Sequence, residues 1–147
     1  PKAAPLEDLY AGPDEKIPDY IRTQIDLVLS SGFAVLNAAD EAVADLAQFS
    51  DGGVIFYAQD EQEARLQAHR AEGGRTVFWR DGQLIMAEGS KEQAVLSSLR
   101  PAVARLLKTD TLSQTDMLVA ACAAWALDLS PELIRAGVKS YGQANAV

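Results

Sequence analysis

Cysteine occurs once in this 147-residue chain, at Cys122, so neither an intrachain disulfide nor a cysteine-based metal site can be built from it. Histidine also occurs once, at His69. No Gly-x-Ser-x-Gly elbow accompanies it, which removes the sequence signal for a hydrolase triad. No apolar run approaches the roughly 20 residues that a membrane-spanning helix needs, and the first residues carry no apolar leader core. A cytoplasmic protein is the expectation. Positive charge is short too: 13 Lys and Arg against 21 Asp and Glu give a net charge of −8. Nucleic-acid affinity comes largely from phosphate neutralisation by basic side chains, so neither a nucleic acid nor an anionic membrane is an expected partner. A phosphate-binding loop is also missing, since no Gly-x-x-x-x-Gly-Lys-Ser/Thr run occurs. The near match Gly137-Val138-Lys139-Ser140 falls late in a helical pattern instead of between a strand and a helix.

What the chain does have is an ordinary globular composition, 48% hydrophobic and 23% charged. A chain of this length buries roughly 68–70% of the surface it exposes when unfolded, enough for one core. Residues 1–18 hold four of the six prolines and show no periodicity, so they read as an irregular lead or linker, with one α/β domain over 19–147. Ile21, Ile25, Leu27, Val28 and Leu29 recur at helical spacing, and Ser30-Ser31-Gly32 ends that helix. Phe33 to Leu36 reads as a buried strand. Asp40 is placed to cap a helix with Val43, Leu46 and Phe49 inward, and Ser50-Asp51-Gly52-Gly53 turns the chain into a second strand, Val54 to Tyr57.

Asp60 is expected to cap a polar, exposed helix. On it Arg65, His69 and Arg70, with Arg75 beyond, interleave with Glu61, Glu63 and Glu72 as a solvated face. Asp81-Gly82 between two apolar runs predicts a β-hairpin from Thr76 to Ala87, because a type I′ turn needs positive φ at both central residues. Phe78 and Trp79 alternate across the strand, as do Ile85 and Met86, so neither face of the hairpin is simply wet. Lys91 to Leu107 has helical character broken at Arg100-Pro101. The small side chains of the run from Val119 to Leu127 let a helix pack close to a neighbour, with Cys122 a small core residue, and Ser130-Pro131-Glu132 is a well-formed helix start. The fold class is α/β, short strands with flanking helices plus the hairpin.

Two stretches carry a resemblance. One is Gly32-Phe33-Ala34-Val35-Leu36-Asn37-Ala38-Ala39-Asp40; the other is the alanine-rich run from Leu118 to Leu129 followed by Ser130-Pro131-Glu132-Leu133-Ile134-Arg135-Ala136-Gly137. Together they resemble the later part of the ATP-binding central domain of the Mur ligase superfamily. Between them, the run from Ala68 to Gly82 (Ala-His-Arg-Ala-Glu-Gly-Gly-Arg-Thr-Val-Phe-Trp-Arg-Asp-Gly) is similar to the cyanophycin synthetases in particular. The resemblance covers about Asp19 to Tyr141. It implies a partial Mur-ligase-like domain of an ATP-dependent ligase that builds an aspartate backbone bearing arginine side groups, through an acyl phosphate attacked by the arginine amine. The P-loop of that family lies upstream of the matching region and a C-terminal ligase domain follows it. Those remaining segments are therefore the implied partners, and homo-oligomerisation is left open.

The same resemblance implies ATP and magnesium as cofactors of the intact parent, with none expected for these residues alone and no catalytic residue among them. It marks Asn37, Asp40 and Asp116 as nucleotide-binding positions. Each has a plain structural alternative: Asn37 as a turn former, Asp40 as a helix cap, Asp116 as the cap of the helix beginning there. The family pattern is also altered. Ala39 and Glu41 replace an aspartate and a proline of the first motif, Ile21 stands where a lysine often precedes Arg22-Thr23, and Asp116 stands where an asparagine faces adenine. An ionised aspartate accepts hydrogen bonds but cannot donate; one unsatisfied partner costs about 1–3 kcal/mol, roughly a tenfold to hundredfold loss in nucleotide affinity. Two other readings compete: a stand-alone, non-catalytic binding or scaffolding domain descended from that fold, and a piece of a muramyl ligase of cell-wall synthesis.

Overall fold

A computed structural model of the chain describes residues 19–30, 32–95 and 114–144. The proline-rich lead and the Arg100-Pro101 break lie outside the described residues. The elements in chain order are α1 (Asp19–Ser30), β1 (Phe33–Asn37), α2 (Glu41–Ala44) running into a 3₁₀ turn (Asp45–Phe49), β2 (Gly53–Ala58), α3 (Ala64–Ala71), β3 (Arg75–Arg80), β4 (Gln83–Glu88), β5 (Lys91–Ala94), α4 (Gln114–Ala126) and α5 (Pro131–Ala144). The five strands form one sheet in sequence order. β1, β2 and β3 are parallel, whereas β4 and β5 are antiparallel additions.

Strand alternation sends side chains to two faces, and helices cover both. Ala34, Leu36, Phe56, Ala58, Phe78, Ile85 and Ala87 lie on one face, packed with Ile25 and Val28 of α1, Ala44 and Leu46 from the β1–β2 connection, and Leu66 of α3. On the other, Ile55, Val77, Leu84 and Met86 meet Met117, Leu118, Ala121 and Cys122 of α4 and Ile134 of α5. The α/β expectation holds, as a three-layer arrangement. Both strands of the expected hairpin are present, and the turn residues Asp81 (φ 50°) and Gly82 (φ 71°) have the positive φ that the Asp-Gly pair supplies. Trp79 and Trp125 are partly buried on the second face. The Arg75 guanidinium lies between two rings, 5.1 Å from that of Phe33 and 4.9 Å from that of Trp125. Phe33 can lie across β2 only because residue 53 is glycine: a Cβ there would sit 2.2 Å from the ring.

Four expectations are corrected. Lys91–Ala94 is a strand, although Lys, Glu, Gln and Ala all favour helix. The turn at Gly89 (φ 59°) sends the chain back along β4, and ladder bonds there outweigh propensity. Asp60 caps no helix. Its carboxylate accepts from Gln62 N at 2.9 Å in a local turn, and Glu63 stands at the α3 N-terminus. Nor is α3 a solvated helix, because Leu66 is fully buried. Its basic residues are partnered: Arg65 with Asp45, Arg70 with Glu92 and the Gly89 carbonyl, and His69 Nε2 with the Val54 carbonyl at 3.0 Å. In α1, Ile25 and Val28 face the core, but Leu27 and Leu29 are exposed.

Glu92 joins edge strand β5 to the rest. It accepts from Arg80 Nη1 at 2.7 Å and from Arg70, while Arg80 also donates to Glu61. Hydrogen bonding to Arg80 in the first place, and Arg70 after it, outweighs partial burial and lowers the Glu92 pKa from 4.5 to about 2. The folded state thus holds this carboxylate ionised more firmly than the unfolded chain does. Its contribution is complete above pH 4.5 and is lost as pH falls towards 2. In acid titrations followed by circular dichroism, Glu92→Gln is expected to flatten the stability loss across that window; an unchanged slope would contradict it. Thr76 is fully buried, and its hydroxyl has no hydrogen-bond partner among the described residues. Thr76→Val is expected to raise stability by about 1 kcal/mol in urea denaturation, and a loss would show that the hydroxyl is satisfied.

Candidate functional site at the carboxyl ends of the parallel strands

In open α/β sheets ligands bind beyond the carboxyl ends of the parallel strands, where loops emerge and helix N-termini point inward. A cleft of about 310 Å³ lies there, lined among others by Asn37 and Ala39 after β1, Tyr57, Ala58 and Gln59 at the end of β2, Glu63 before α3, and Thr115 in the first turn of α4. That is the lower end of the range for small-molecule pockets. A larger, more open groove of about 540 Å³ sits at the other end of the sheet, beside Arg70, Gly73, Glu88 and Gly89. Arg70 there is already committed to Glu92 and Gly89, so the smaller cleft is the better candidate.

The wall is built by short-range chemistry. Asn37 ends β1 and its Oδ1 accepts from Ala39 N at 3.0 Å, turning the chain out of the sheet. Ala38 N still reaches the Tyr57 carbonyl at 2.9 Å, so the turn stays fastened to β2. No described residue accepts from the Asn37 amide nitrogen, which remains a donor at the cleft. Gln59 Nε2 donates to Thr115 Oγ1 at 3.0 Å, tying β2 to the start of α4. Trp79 Nε1 does the same for β3 through the Gln114 carbonyl at 3.3 Å.

Of the three positions marked in the sequence, Asn37 lines the cleft directly. Asp40 stands at its rim and caps α2, with extended φ and ψ and its Oδ1 accepting from Val43 N at 3.2 Å. Its charge still reaches inward: burial first, then Cys122 and Asp40, raise the Tyr57 phenol pKa. Asp116 is not the residue before α4 but the third within it, next to Thr115 and near the positive end of the helix dipole. The sequence reading missed Tyr57, Gln59, Glu63 and Thr115. The signal available was a cluster of polar side chains directly after an apolar strand and at a helix start.

Among the described residues no lysine or arginine lines this cleft, and Asp60 and Glu63 do. At the N-terminus of α2 the Asp40 carboxylate already accepts from Val43 N and sets a negative charge there. These residues therefore suit a neutral, hydrogen-bonding group of base or sugar size, and do not suit a triphosphate, which needs backbone amides and cations. Nor, among the described residues, do three or more His, Cys, Asp or Glu side chains gather as a metal site, and no helix there is long and apolar enough to cross a membrane.

Three curated proteins match this chain, all cyanophycin synthetases. Those of Nostoc sp. (strain PCC 7120) and Trichormus variabilis are each 24% identical over 114 residues, and that of Geminocystis herdmanii is 26% identical over 115. Each match covers 78% of this chain but only 12–13% of the relative. The chain is distantly related to those enzymes. No protein-family model matches it.

Asp40→Ala removes the cap of α2 and is expected to cost about 1 kcal/mol; Asn37→Ala should also unfasten the β1 turn. A chemical denaturation midpoint unchanged in Asp40→Ala would show the cap to be idle. Burial pushes the Cys122 thiol far above its usual range. A thiol reagent at pH 8 is expected to label it only after denaturant is added.

Proposed function

We propose that this chain supplies one wall of the nucleotide pocket in a cytoplasmic, ATP-dependent amino-acid ligase of the cyanophycin synthetase type, within a Mur-ligase-like central domain. The carrying observation is the convergence of Asn37, the Gln59–Thr115 link and the first turn of α4 on one cleft beyond β1 and β2. That location suits nucleotide binding in an α/β sheet, and the distant relationship to cyanophycin synthetases supplies the ligase class.

In this reading the cleft receives the base and ribose. Asn37 offers an amide donor, Thr115 and Gln59 hold the start of α4 against β2, and Tyr57 closes the inner end. ATP with magnesium would supply the phosphoryl group that activates a carboxylate. The residues for the phosphates and the ion belong to segments other than this one, which carries no P-loop lysine. Asp40 stays a structural cap that shapes the rim. Asp116, where the family has an asparagine, gives this wall acceptor character, so affinity for adenine rests on the other segments as well.

Two measurements test this. Calorimetric titration of the 147-residue chain with magnesium-ATP is expected to give no saturable heat at micromolar nucleotide, because the phosphate-binding parts are lacking. The full-length gene product is expected to turn over ATP in the presence of aspartate-arginine polymer, aspartate and arginine, and Asn37→Ala should raise its KM for ATP by about tenfold, the scale of one lost hydrogen bond. Turnover that depends on a muramyl peptide instead would reassign the substrate, and no ATP turnover with either would remove the ligase reading.

A further inference from the structure

β3 is longer than its parallel neighbour at the end where the candidate cleft opens. β2 ends at Ala58, which pairs with Phe78, whereas β3 runs on through Trp79 to Arg80. These overhanging residues have a firm backing: Trp79 pairs with Leu84 and Arg80 with Gln83 across the Asp81-Gly82 turn. Leu84 is buried in the second cluster, so the hairpin gives the overhang a fixed stem.

Strand alternation sends the two side chains to opposite faces. Trp79 turns to the second face, where its Nε1 donates to the Gln114 carbonyl at 3.3 Å, and the next residue of α4, Thr115, lines the cleft. Arg80 turns to the first face, over the Phe78 ring, and its Nε donates to Glu61 Oε2 at 2.8 Å. Glu61 lies in the β2–α3 connection between Asp60 and Glu63, which line the cleft as well. Gln67 holds the same connection a second time, its side-chain amide donating to the Glu61 carbonyl. One pair of consecutive residues therefore grips two walls of the cleft, the start of α4 and the β2–α3 connection. A cleft of about 310 Å³ leaves little slack. A binding site works only while its supports hold the geometry to within about 0.5 Å.

We propose that Trp79 and Arg80 are positioning residues for the cleft: from opposite faces of β3 they fix the distance between the first turn of α4 and the β2–α3 connection, and with it the fit of the occupant. Both act through others, Trp79 through Gln114 and Thr115, Arg80 through Glu61. Because Arg80 also donates to Glu92, edge strand β5 is tied into the same brace. The inference rests on the proposed nucleotide reading for the identity of the occupant, a base with its ribose.

Steady-state kinetics of the full-length gene product and nucleoside titration of the 147-residue chain test this. Trp79→Phe keeps a ring in place but deletes the N–H, and Glu61→Ala deletes the acceptor while leaving Arg80 bonded to Glu92. Each is expected to raise KM for ATP by about fivefold, the scale of one lost hydrogen bond, with kcat unchanged. A role confined to stability would instead reduce the amount of active enzyme, so that kcat falls and KM stays; that result overturns the proposal. In the short chain, millimolar adenosine is expected to move the Trp79 indole N–H resonance, identified by its loss in Trp79→Phe, and Glu61→Ala is expected to weaken that binding by a similar factor. Equal adenosine affinity in the wild type and both variants overturns the proposal too. The two readings fail separately. ATP turnover with KM unchanged in both variants sinks this inference alone, adenosine binding weakened by both variants in a protein without ATP turnover sinks the ligase reading alone, and neither turnover nor adenosine binding sinks both.

Discussion

The structure depends on burying β3 from both sides. Val77 and Phe78 are neighbours in sequence, point to opposite faces, and are each completely shielded from solvent. Each such side chain contributes about 1.5–3 kcal/mol, and each belongs to a different hydrophobic cluster. Neither cluster exists without the other, because one strand's backbone supports both. β3 is also where the sheet changes from parallel to antiparallel pairing. The guanidinium groups of Arg70 and Arg80 lie 5.7 and 5.3 Å from the Phe78 ring, so the ion network that binds β5 to α3 sits on the first cluster.

That constraint positions the candidate site. With β2 held parallel beside β3, its carboxyl end stands level with that of β1, and the turns after both strands open on the same side. α4 covers the second face and begins at that edge, fixed by Trp79 and Gln59. Position alone would favour an anion, since helix N-termini gather there. The side chains oppose this. Asp40 occupies the end of α2, and Asp60 and Glu63 line the cleft with no cation beside them among the described residues. A neutral polar group is what this electrostatic pattern tolerates.

The fold was largely legible in the sequence because its signals were local. Asp81-Gly82 dictates a turn through positive φ, Asp40 and Ser130 supply side-chain caps seen at Val43 N and Leu133 N, and Phe33 to Leu36 is too short and apolar to be anything but a buried strand. What failed was non-local. Lys91 to Ala94 has helical composition and becomes a strand because β4 offers a ladder. Likewise, α3 looks polar but lays Leu66 on the sheet, and its arginines find partners 19 to 22 residues away, among them Gly89 and Glu92. The motif singles out Asn37, which lines the candidate cleft. Gln59 and Thr115 could not be found that way, because they stand 56 positions apart and only the fold brings them together.

The edge strands make a related point about specificity. A one-residue slip of β1 against β2 would move Ala34 and Leu36 from the first cluster to the second and expose the helix beneath, so register here is fixed by burial. Burial does not, however, decide which side of β1 is paired. Its two backbone edges are chemically alike, and Phe33 and Val35 are only partly buried even with α4 in place. Among the described residues, β1 is paired along one edge only. β5 shows that this chain can close an edge with charge when closure is needed.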